Sequence, residues 1–124
     1  DIRLKNNIQP LSYGLQTIML LKPISFTWKN AIDDQVKLGL SAQELLQIVP
    51  EVVNTFDYKV NEETEALERY ELERLGGYYS DLIPVLIKAT QEQQEIIEDQ
   101  KTELDQQRQL IEDLLKRVEA LEKE

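Results

Sequence analysis

Few side chains in this sequence can do covalent or acid–base chemistry. There is no cysteine and no histidine, which excludes a disulfide framework, thiolate nucleophiles, a serine–histidine triad and the usual zinc donor sets. Ser, Thr, Lys, Tyr, Asp and Glu remain. The most unusual grouping among them opens the chain, where Asp1, Arg3 and Lys5 alternate with Ile2 and Leu4 ahead of an apolar ladder. The chain is otherwise strongly acidic, with a formal net charge of −10. Lys5 is therefore open to two readings, a surface charge or a participant in a reaction. The other cluster of reactive type, Glu62, Glu63, Glu65 and Glu68, reads as a solvated face, and its spacing does not match a calcium loop.

The elements that must position these residues fall into two regions. At 124 residues, with 41% apolar and 31% charged residues, the chain has room for one ordinary domain and an accessory segment. Charge and glutamine concentrate after Thr90, where neither Gly nor Pro occurs again. The expected division is a globular head over 1–79 and a long helix over 80–124. Net acidity argues against nucleic acid as a partner, because binding to it relies on cations releasing phosphate counterions. No apolar run approaches the ~20 residues a membrane span needs, and the N-terminus shows no basic-then-apolar signal, so no membrane partner is expected.

Within the head, Ile8, Leu11, Leu15, Ile18 and Met19 fall at helical spacing, which predicts a helix over Ile8–Leu21 ended by Pro23. In "ISFTWK" the residues Ile24, Phe26 and Trp28 alternate with polar ones, as Val36, Leu38 and Leu40 do in "VKLGL". The two runs predict an antiparallel hairpin with Phe26 and Trp28 in the core. Ser41 and Glu44 have capping-box spacing and predict a short helix that buries Ala42, Leu45, Leu46 and Val49 before Pro50. The acidic stretch "KVNEETEALERYELERL" is open between a surface loop, a short helix and a hairpin arm, and Gly76–Gly77 predicts a turn.

Ser80 or Asp81 can cap the long helix, with Pro84 tolerated in its first turn. Heptads place Ile83, Thr90, Ile97, Leu104, Ile111 and Val118 at position a, and Leu86, Gln93, Gln100, Gln107, Leu114 and Leu121 at position d. Six heptads in one register indicate a coiled coil about 66 Å long. In a parallel bundle each g residue meets the e residue five positions on, pairing Glu103 with Arg108, Leu110 with Leu115, and Arg117 with Glu122. Ile87 and Ile96 also lie beside the seam, and a stripe wider than a strict a/d seam favours three strands. The expected assembly is a parallel homotrimer. The glutamines at d either form a hydrated, loosely packed middle or act as polar layers that fix register, with room for a water or an ion on the axis.

The ordered set "DIRLKNNI", "ISFTWK", "GLSAQEL" followed by "VPEVV", and "YYSDLIPVLIKATQEQQ" running into a coiled coil resembles one family. It is similar to the intramolecular chaperone auto-processing domain at the C-terminus of phage tail fibres, tailspikes and endosialidases. Relatives of that domain occur in bacterial surface proteins and a membrane-tethered transcription factor. The likeness covers nearly the whole chain, with a variable insertion at about 61–74. It implies an α+β fold with a small antiparallel sheet and short helices, followed by a trimeric coiled-coil helix. It also implies a domain that trimerises, assists folding of an upstream β-rich fibre or spike segment, and cuts itself away.

In the family the cut falls before a serine in a motif resembling S-D-x-R-x-K, with serine and lysine acting as a dyad. Asp1 and Arg3 match fixed positions of that cleavage motif, and Lys5 matches the general base. The serine would immediately precede Asp1 and is not in this sequence, so the chain is expected to start just after the cleavage point, or with that serine unrecorded. A serine hydroxyl needs a base, and lysine serves only when burial or nearby positive charge favours its neutral form. Arg3 would help, while the overall acidity opposes it. Gln43 and Glu44 lie open between contacting the cleavage region and capping. Tyr79 matches a family tyrosine expected to pack or hydrogen-bond. Neither cofactor nor metal is implied. The partners implied are further copies of the chain and the upstream segment, in the bacterial cytoplasm during phage assembly or on a virion or cell surface. The alternative is a non-cleaving trimerisation module of a fibre or surface protein, and a third reading is a coiled-coil adaptor for another helix.

Overall fold

Pro10 and Gly14 limit what the first apolar run can become. In the computed structural model, which describes all 124 residues, Ile8–Leu21 yields only a six-residue helix, α1 (Leu15–Leu20). Residues 5–13 are irregular. Proline has no N–H for a helical ladder, and Ile8 and Leu11 remain exposed, so no apolar face holds the first half in a helix. The helix begins where the Thr17 hydroxyl accepts from the Gly14 amide at 3.1 Å.

The predicted hairpin forms with short arms. Strands β1 (Ile24–Phe26) and β2 (Lys37–Gly39) pair antiparallel, with Ile24 opposite Gly39 and Phe26 opposite Lys37. Trp28 lies beyond the ladder and is 63% exposed, with its ring edge-on to Phe26 at 5.0 Å. It is not a core residue within one chain, because the two-stranded ladder stops before reaching it.

Helix α2 (Ala42–Ile48) starts at the expected cap, where the Ser41 hydroxyl accepts from the Glu44 amide at 3.4 Å. The Glu44 carboxylate lies 3.9 Å from Lys22 Nζ. Leu45 and Val49 are buried, Ile48 is half-buried and Leu46 is exposed. The inward stripe therefore runs at i, i+3 and i+4 through Leu45, Ile48 and Val49, and Leu46 does not belong to it.

A 3-10 turn at Pro50–Val52 leads into β3 (Val53–Val60), which pairs antiparallel with β4 (Leu67–Gly77). Of the three forms open to the acidic stretch, the hairpin arm is the one adopted. Its turn is organised by Asn61, whose side-chain oxygen accepts from the amides of Glu63 and Thr64 at 2.8 and 3.2 Å. The Asn61 amide donates to the Ala66 carbonyl, and Glu65 takes a left-handed φ of 57°. Gly76 and Gly77 are not a turn. They end β4 opposite Asn54 and Val53, and a Cβ on Gly77 would already touch Leu45 and the Tyr79 ring.

After a 3-10 turn at Tyr79–Leu82 comes α3 (Ile83–Glu122), a 40-residue helix about 60 Å long. The architecture is α+β, with two separate two-stranded antiparallel sheets where one was expected. The core joins Leu45, Val49, Val52, Val53 and Leu82, with Tyr13, Leu21, Leu40 and Leu75 packed against it. The chain divides into two compact units, Asp1–Ala89 and Thr90–Glu124.

Candidate functional site

Two places carry the residues singled out by sequence, the N-terminal cluster and the seam of α3. At the N-terminus Asp1 caps a 3-10 turn over Ile2–Leu4. Its Oδ1 accepts from the Arg3 amide at 3.0 Å, and its carboxylate receives the Arg3 guanidinium through Nε and Nη2. This forked pair holds the two charges together with planar complementarity. The turn then hands the chain to an extended Lys5, whose amide donates to the Ile2 carbonyl at 3.1 Å.

The consequence for chemistry is specific. Asp1 and Arg3 are brought together and spend their charges on one another, so Arg3 does not stand as a bare cation beside Lys5. The Lys5 side chain is exposed and makes no hydrogen bond or ion pair within the chain. Desolvation of its ammonium therefore requires another surface to cover it. The structure shows no group of His, Cys, Asp and Glu side chains that could hold a metal ion, and no helix long and apolar enough to cross a membrane.

Along α3 the seam residues Ile83, Leu86, Ile97, Leu104, Ile111, Leu114, Val118 and Leu121 are all exposed, as are the polar positions Thr90, Gln93, Gln100 and Gln107. Leu110 and Leu115 extend the apolar surface to positions g and e, at 62% and 55% exposure. Glu103, Arg108, Arg117 and Glu122 form no ion pair within the chain. The polar contacts that do form run one turn along the helix, from Gln94 to Glu98 and from Gln109 to Asp113. The side chains of Gln93, Gln100, Gln107, Glu103, Arg108, Arg117 and Glu122 make no polar contact of this kind within the chain.

Two contacts in the first unit join residues far apart in sequence. Tyr13 donates from its hydroxyl to the Glu51 carboxylate at 3.0–3.1 Å, beside an apolar groove of about 330 Å³ lined by Leu11, Val49, Val52 and Val85. The hydrogen bond, with smaller contributions from burial and the Glu51 charge, raises the Tyr13 phenol above its ordinary value. The Tyr79 hydroxyl accepts from the Leu40 amide at 2.8 Å. The family resemblance gave a reason to watch Tyr79 but none for Tyr13, and neither contact, spanning 39 and 38 residues, leaves a periodic trace.

Compared with known protein families, residues 1–54 match the family described as Chaperone of endosialidase. The matched span holds Asp1, Arg3, Lys5, the β1–β2 hairpin and α2, and the match supports a chaperone role. No curated protein matches the chain.

Proposed function

We propose that this chain, whose first 54 residues carry the chaperone of endosialidase family, is an intramolecular chaperone that trimerises, assists assembly of an upstream β-rich fibre or spike segment, and is released by self-cleavage just before Asp1. The observation that carries the reading is that family match, joined in one chain to a helix whose seam is unsatisfied alone. Holding three chains together raises the effective concentration of whatever precedes them, so slow non-local strand pairing nucleates in register. Release then removes the template and makes assembly irreversible.

In the cleavage step a serine immediately before Asp1 would attack the carbonyl carbon of the residue preceding it. Lys5 takes the hydroxyl proton and returns it to the departing serine amide nitrogen, and water completes hydrolysis of the ester. The Asp1–Arg3 fork fixes the turn that leads to Lys5, and the upstream segment or a second copy covers the lysine. The setting is phage assembly in the bacterial cytoplasm, with the virion or cell surface as the location if the domain is retained.

The test is expression of the chain with its native upstream sequence, followed by fragment masses and oligomeric mass. The expected result is a cut on the N-terminal side of the serine that precedes Asp1, so that the released fragment begins with that serine, abolished in Lys5→Ala without loss of trimerisation. A wild type that stays uncut and folds equally well without residues 1–124 overturns the chaperone reading. If it stays uncut but loses its trimeric state on removal of the domain, the non-cleaving trimerisation module is correct. Cleavage of Lys5→Ala at the wild-type rate removes only the lysine's role.

A further inference from the structure

The seam of α3 is uneven along its length. From Thr90 to Gln107 four of the six a and d positions are polar, namely Thr90, Gln93, Gln100 and Gln107. From Leu110 onward every a and d residue is apolar, and Leu110 and Leu115 add apolar surface at g and e. Arg108 precedes the apolar stretch and Arg117 lies within it, and each has an acid, Glu103 and Glu122, at the position a parallel neighbour presents to it. All four are free of ion pairs within the chain.

We infer that the segment from Leu110 to Leu121 is a clasp in which copies of this chain first associate, and that the polar stretch from Thr90 to Gln107 closes afterwards, as a weaker and hydrated zone that sets register. This rests on the trimer reading above and adds to it where assembly begins. The occupant of the exposed face is a second and third copy of the chain, selected by charge complementarity. In a parallel arrangement Glu103 meets Arg108 and Arg117 meets Glu122, while Leu110 meets Leu115.

The physical reason for the order is the return on each layer closed. An apolar layer removes leucine, isoleucine or valine surface from water on contact. A glutamine layer must first desolvate amides, and it recovers that cost only when all three chains are in place to bond one another or a shared water. The side chains of Gln93, Gln100 and Gln107 make no hydrogen bond within the chain, so nothing pre-orders their amides. Because the clasp is synthesised after the head and after anything upstream of it, chains join only once each has been made through its folding-dependent parts.

The experiment uses the complete 124-residue chain. Sedimentation equilibrium gives oligomeric mass and assembly midpoint for the wild type, Leu114→Ala and Gln100→Ala, two changes to the same good helix former at d positions. Amide hydrogen exchange on the wild type reads protection along α3. The expected result is a trimer whose assembly midpoint rises about a hundredfold in Leu114→Ala and less than about tenfold in Gln100→Ala, with the slowest exchange in residues 110–121. A trimer in which both variants assemble equally poorly, or in which residues 90–107 exchange most slowly, overturns the clasp and leaves the trimer reading intact. A monomeric wild type overturns both.

Discussion

The hydroxyl oxygen of Tyr79 lies 2.8 Å from the Leu40 amide nitrogen and accepts a hydrogen bond from it, binding the chain just after β2 to the turn that precedes α3. Gly39 makes this approach possible, since a Cβ there would stand 2.7 Å from the same oxygen and 3.2 Å from the Phe26 ring. One contact thus fixes the β1–β2 hairpin, which follows the N-terminal cluster, relative to the start of the long helix. Tyr79→Phe is expected to cost about 1 kcal/mol, the usual value of one such bond. Gly39→Ala displaces the hydroxyl, so the double variant loses less than the sum of the two singles. Urea denaturation at fixed protein concentration measures the cycle, and strict additivity would show that Gly39 and Tyr79 are not coupled.

The α2 stripe makes a sharper distinction between neighbours than periodicity does. Leu45 is 1% exposed and Leu46 is 36% exposed. Leu45→Ala is expected to cost about 2–5 kcal/mol through lost burial and a residual cavity, whereas Leu46→Ala costs under about 1 kcal/mol. Equal costs in the same denaturation experiment would mean that the helix is rotated from the orientation described.

The Tyr13–Glu51 contact makes a pH prediction. The folded phenol titrates above its ordinary value because it donates a hydrogen bond to the Glu51 carboxylate, which favours the protonated form, with burial and the Glu51 charge acting in the same direction. A raised folded pKa means the stabilisation is complete below the unfolded value, about 10, and is lost as pH rises through the folded one. In Glu51→Gln the Tyr13 titration, followed by the NMR shift of its ring, is expected to move down toward pH 10. A titration unchanged by the substitution would exclude the contact.

Glu65 occupies a left-handed backbone position at φ 57° in the β3–β4 turn. A side chain there meets the following carbonyl, while glycine avoids that clash at some entropic cost. Glu65→Gly is expected to stabilise the chain by about 0.5 kcal/mol net. A loss of stability in thermal unfolding would show that the glutamate carboxylate has a compensating role.

Where a signal is local, the elements were legible. The Ser41 cap, the alternation in β1 and β2, and the absence of Gly and Pro after Thr90 each act within a few residues, and each produces the expected element at nearly the expected place. Ile8 and Leu11 show how a helical period fails when no surface receives its apolar face. Gly76 and Gly77 have the composition of a turn, yet they pair with Asn54 and Val53 because β3 offers a ladder that the turn rule does not include. The candidate site divides in the same way. Asp1, Arg3 and Lys5 were identifiable from type and spacing, but the Asp1–Arg3 fork and the uncovered state of Lys5 are matters of geometry.

The sequence by itself determined the long uninterrupted helix of α3, the cap of α2 and the chemistry available at the N-terminus, because helix-breaking residues, capping and composition are properties of adjacent residues. Only the tertiary structure decided that the acidic stretch folds back as a hairpin, that Trp28 stands outside the core, and that Tyr79 and Tyr13 reach across 39 and 38 residues. Those outcomes depend on which distant surfaces meet, and the free energy of such a meeting belongs to both partners, so neither segment encodes it alone.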